Sequence, residues 1–70
     1  MQYYVHNLPV NYQSYKYIVI KDLTDEGEGY WYWCGYQTLQ ASQEAVDEFF
    51  GSSIKVRVVE PDDIYPCDYE

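Results

Sequence analysis

Apolar and polar positions along the chain form three alternating stretches and one stretch of helical period. Residues 15–22 read Tyr-Lys-Tyr-Ile-Val-Ile-Lys-Asp and residues 30–36 read Tyr-Trp-Tyr-Trp-Cys-Gly-Tyr, with a polar segment holding Gly27 and Gly29 between them. Two β-branched and aromatic runs around such a segment predict a β-hairpin with strands over 15–22 and 30–36 and a loop longer than two residues. Pairing Ile18 with Trp33 and Ile20 with Trp31 would put those four side chains on one face. Tyr15, Tyr17, Val19, Lys21, Tyr30, Tyr32, Cys34 and Tyr36 would then share the other, since side chains alternate along a strand. This register is preferred because an aromatic as large as tryptophan brings roughly 150–250 Å² to bury, while a tyrosine hydroxyl suits a half-exposed face.

From Thr38 to Gly51 the period changes. Leu39, Ser42, Val46 and Phe49, with Ala45 and Phe50 alongside, fall on one helical face, and Gln40, Gln43, Glu44, Asp47 and Glu48 point away from it. The spacing predicts an amphipathic helix over 39–50, capped by Thr38 or, one turn later, by Ser42, and closed at Gly51. Residues 53–59 alternate again, with Ile54, Val56 and Val58 on one side and Lys55, Arg57 and Val59 on the other. Ahead of the hairpin, Tyr3-Tyr4-Val5 is enough for a short edge strand beside residues 15–21, ended by the segment around Pro9. Pro61 ends the strand over 53–59, and the acidic tail, residues 60–70, is too polar for a core and is expected to lie extended against the domain or loosely ordered. The expectation is an α+β fold: a single domain, 1–70, in the order (β)-β-β-α-β, with a small antiparallel-rich sheet and one helix on one face. That helix would bury Ile18, Ile20, Trp31 and Trp33 with Val46, Phe49, Ile54, Val56 and Val58, leaving the opposite face to the tyrosines, Lys21, Lys55 and Arg57.

Charge changes the picture more than length does. Twelve acids against four bases give a net charge of −8, which repels nucleic acid and anionic membrane and attracts a basic protein surface. No run approaches the eighteen or so apolar residues of a membrane span, and no secretory signal opens the sequence, so the expectation is a cytoplasmic protein. Cys34 and Cys67 have neither the number nor the spacing of a disulfide framework or zinc site and are read as reduced thiols. His6 is the only histidine, and no nucleophile, base and orienting group can be assembled around it, which argues against an enzyme. Asp62, Asp63, Asp68 and Glu70 lack the order of a calcium loop, and Gly27-Glu28-Gly29 is a turn with an acid where a phosphate loop needs a lysine, so neither metal nor cofactor is expected.

Ten tyrosines, two tryptophans and two phenylalanines in 70 residues compensate for a thin core and also supply interface-type contacts. A tyrosine-rich sheet face is compatible with a homodimer. The acids cluster as Asp25, Glu26 and Glu28 in the hairpin loop, Glu44, Asp47 and Glu48 on the helix, and Glu60, Asp62, Asp63, Asp68 and Glu70 in the tail. One reading gives them to solubility alone. A sharper one makes the loop and helix acids, with Tyr30 and Tyr32 beside them, an imitation of a phosphate backbone that occupies the groove of a nucleic-acid-binding protein. A third reading uses the aromatic sheet face with Lys21, Lys55 and Arg57 as a stacking platform for single strands. In size, acidity and tyrosine content the chain resembles the small anti-defence proteins of bacterial viruses, the anti-CRISPR and antirestriction inhibitors. That resemblance implies a non-enzymatic inhibitor whose partner is a basic host protein that normally binds nucleic acid, such as a CRISPR-Cas or restriction component, and it carries over no individual residue.

Overall fold

A computed structural model describes residues 2–66. Five strands form one mixed sheet: β1 Tyr3–His6, β2 Tyr17–Leu23, β3 Gly29–Tyr36, β4 Lys55–Val59 and β5 Ile64–Pro66, in the spatial order β4-β2-β3-β1-β5. The one α-helix among the described residues, α1 Leu39–Asp47, packs on β2, β3 and β4. The fold is the α+β arrangement the periodicity predicts. The hairpin pair β2–β3 and the pair β2–β4 are antiparallel, whereas β1 runs parallel to both β3 and β5.

The hairpin register differs from the expected one. Ile18 stands opposite Gly35, Ile20 opposite Tyr32 and Lys21 opposite Trp31, and between Val19 and Ile20 the ladder slips so that Trp33 is the extra residue of a β-bulge. Ile18 and Ile20 therefore share a face with Tyr30 and Tyr32, while Trp31 and Trp33 join Val19 and Lys21 on the other. Two contacts favour this arrangement. The Tyr15 ring lies directly over Gly35, in space a side chain would fill, and Phe49 meets Trp33 edge to face at 5.3 Å from the helix. Burial of Ile18, Val19 and Ile20 alike marks β2 as a strand covered on both sides, for which strict alternation is a poor guide.

The helix accordingly sits over Val19, not over Ile18 and Ile20 as expected. The principal core lies on the opposite face: Val5, Ile18, Ile20, Val59 and Ile64, closed by Leu8 and by Tyr12 from a short 3-10 turn, with Tyr3, Tyr15, Tyr30 and Tyr32 packed around it. Lys55 and Arg57 border this face, since they stand opposite Asp22 and Ile20, but Lys21 does not. The edge strand expected beside β2 is instead interior, because β1 inserts between β3 and β5 and buries Val5 completely. The tail, too, contributes structure: Pro61–Asp63 make a 3-10 turn and β5 follows, with Tyr3 opposite Ile64. Asp68, Glu70 and Cys67 lie outside the described residues.

Candidate protein-binding surface

Thr38 ends the extended backbone after β3, and its Oγ1 accepts a hydrogen bond from the Ala41 amide at 3.2 Å, so the helix begins at the first of the two expected caps. Ser42, the alternative cap, is fully buried inside the helix and donates its hydroxyl to the Leu39 carbonyl at 2.6 Å. Ser42 and Ala45 are the buried positions of α1, and small side chains there let it approach the sheet closely. Past Asp47 the chain tightens through i→i+3 bonds such as Phe49 N–H to the Val46 carbonyl, then turns at Gly51 with φ 83°. The helix is therefore held at its start, along its inner face and, through Phe49 on Trp33, just past its end.

That anchoring presents Glu44, Asp47 and Glu48 to solvent. Among the described residues none of the three forms an ion pair. Glu44 and Glu48, one turn apart, flank a shallow hollow of about 300 Å³ lined also by Tyr36, Ala41 and Ala45. Tyr36 sits at its side with its hydroxyl pKa pushed up to about 12, chiefly by a hydrogen bond with Cys34, then by burial and by negative charge at Cys34 and Glu48. It thus remains a neutral hydrogen-bonding group across the physiological range. Cys34 is a free thiol.

The hairpin-loop acids are arranged differently. Asp25 and Glu26 lie in a 3-10 turn, Thr24–Glu26, closed by Gly27 at φ 76°, and Glu28 follows it, exposed. Asp25 is already engaged: Lys55 Nζ donates to its Oδ2 at 2.7 Å, and that bond raises the lysine pKa. Next to it Arg57 Nη2 reaches Asp22 Oδ2 at 3.1 Å, while the Thr24 hydroxyl and amide both donate to Asp22 Oδ1. The Thr24 hydroxyl is the main reason the Asp22 carboxyl titrates below its ordinary range.

Tyr30 and Tyr32 lie away from the helix acids. Tyr30 packs edge-on to Tyr3 at 5.0 Å, with the Arg57 guanidinium over both rings. Tyr32 packs on the core, and burial is the first cause of its raised pKa. The tyrosine that accompanies the helix acids is Tyr36, which the sequence does not single out. Its signal is nonetheless present: it comes just before the cap, and Ala41 and Ala45 leave a hollow beside it. The trio required for a single-strand platform is divided between the two faces, with Lys55 and Arg57 neutralised by Asp25 and Asp22 on one and Lys21 on the other. Among the described residues no group of three or more His, Cys, Asp or Glu side chains is placed to hold a metal ion, and no helix is long and apolar enough to cross a membrane.

Comparison with protein-family models, with curated proteins and with solved structures returns no match.

Proposed function

We propose that the chain is a non-enzymatic inhibitor that binds a basic, nucleic-acid-binding protein and occupies the groove meant for the phosphate backbone. The observation that carries this reading is the charge on α1. Glu44 to Glu48 covers about 6 Å of helix axis at 1.5 Å per residue. It carries three carboxylates, on average about 3 Å apart along the axis, close to the roughly 3.4 Å between successive phosphates of one DNA strand. These carboxylates stand on a docked helix, so little ordering entropy is spent when they meet a row of lysines and arginines. Tyr36, in the wall of the hollow that Glu44 and Glu48 flank, adds the kind of aromatic anchor that interfaces favour. The loop acids contribute less, since Asp25 already holds Lys55.

Affinity capture from a bacterial lysate tests this. The wild-type chain is expected to retain nucleic-acid-binding proteins that added duplex DNA releases. Glu44→Gln with Asp47→Asn and Glu48→Gln should lose them, while Glu60→Gln with Asp62→Asn and Asp63→Asn should keep most of the binding. Truncating one member of a charge pair that the partner buries and hydrogen-bonds typically costs about 2–5 kcal/mol. Capture that survives both the helix substitutions and excess DNA would overturn the reading, and inhibition of the captured protein at far below one equivalent would point to catalysis instead.

A further inference from the structure

The helix covers only part of its face of the sheet, and beside it Trp31 and Trp33 border an open cleft. Its volume is about 610 Å³, and its lining includes Asn7, Lys21, Leu23 and Glu28 with the two indoles. That size and mixture, apolar rings with a few polar groups, suit a small molecule. The walls are fixed before anything binds. Trp31 donates its indole N–H to the Glu28 carbonyl at 2.9 Å and is stacked by the His6 ring at 4.9 Å, 33° from parallel. Trp33 is held from the helix side by Phe49. With both rings placed, a flat guest costs little further ordering.

The cation in the cleft narrows the guest. Lys55 and Arg57 each hold a carboxylate, but Lys21 Nζ rests 4.5 Å from the Trp33 ring centroid, and among the described residues it has no carboxylate in ion-pair range. An ammonium partly desolvated against an indole pairs strongly with a carboxylate through a charge-assisted hydrogen bond. Glu28 at the same cleft, within a chain of net charge −8, opposes guests of higher negative charge such as phosphate esters. We infer that the cleft binds a small aromatic monocarboxylate, with its ring against Trp31 and Trp33 and its carboxylate on Lys21. This site is separate from the helix acids and does not depend on the inhibitor reading.

The two tryptophans are the only ones in the chain, so their fluorescence reports on the cleft directly. Titration with 3-phenylpropanoate is expected to give a saturable change, and 3-phenylpropanamide, of the same shape without the charge, should bind about tenfold more weakly. Lys21→Met keeps the apolar stem and removes the ammonium. It should bring the acid down to the level of the amide while leaving the amide, the circular dichroism spectrum and the urea midpoint unchanged. Equal binding of acid and amide, an acid affinity indifferent to Lys21→Met, or no saturable response would each overturn the assignment.

Discussion

At Gly35 an added Cβ would stand 2.3 Å from Cγ of Tyr15 and within 2.7 Å of both ortho carbons. The clash is with the base of the ring, so the whole side chain would have to leave its place over the strand, where it packs against the core. Gly35→Ala is expected to cost about 1–3 kcal/mol, the usual range for overpacking, read as a lower urea midpoint. Asp22 is the other residue whose single atoms matter. Its side chain is 9% exposed, and it accepts from Thr24 twice and from Arg57. Because its folded pKa lies below the unfolded value, its contribution is complete above about pH 4 and is lost as pH falls through the folded pKa. Asp22→Asn should therefore destabilise at pH 7, by about 1.5–3 kcal/mol if the charged hydrogen bonds have their usual strength, and should reduce the fall in stability between pH 4 and pH 2. A variant with the wild-type acid profile would mean that other carboxylates control acid unfolding.

Among the elements, the helix shows a tension between stability and use. Asp47 and Glu48 occupy its last turn and cap, where the carbonyl ends of the dipole disfavour negative charge. Glu48→Lys is expected to raise the urea midpoint by the equivalent of about 0.3–1 kcal/mol while weakening capture of a basic partner. If both properties fell together, the acid would be serving the fold and not a surface. The helix was legible because its information is local: Thr38 as cap, a 3.6-residue period and Gly51 at the close all lie within fourteen residues. The hairpin register was not, since it depends on the Tyr15 ring finding Gly35 and on Phe49 drawing Trp33 toward the helix. Side-chain area alone favoured burying the tryptophans, yet the core took Ile18 and Ile20 with the tyrosines, whose rings pack around it. Tyr30 and Tyr32 do lie on the face away from the helix, as expected, and Tyr36, which lines the hollow beside Glu44 and Glu48, was passed over. β5 was hidden for another reason: Ile64 sits between acids and a proline, and its partner Tyr3 is 61 residues earlier in the chain.

On the scale of the whole molecule, attraction and repulsion between charges give salt two opposite effects. Among the described residues, the ion pair of Lys55 with Asp25 is mostly open to water, and such a pair contributes little. Against it stands the self-repulsion of a net charge of −8 on 70 residues, spread over a body with a Cα radius of gyration of 11.5 Å. That radius is comparable to the Debye length near physiological ionic strength, about 8–10 Å, so raising salt from low to physiological levels screens repulsion across the molecule. The midpoint of thermal unfolding is expected to rise with sodium chloride over that range. Binding to a cationic groove should move the other way, because the same ions screen the attraction that the helix acids exert on the partner. Measured on one preparation, a rising unfolding midpoint with falling affinity is the signature expected of carboxylates kept for a partner at a cost to the fold. An unfolding midpoint that rises while affinity stays constant would leave the acids with solubility as their role.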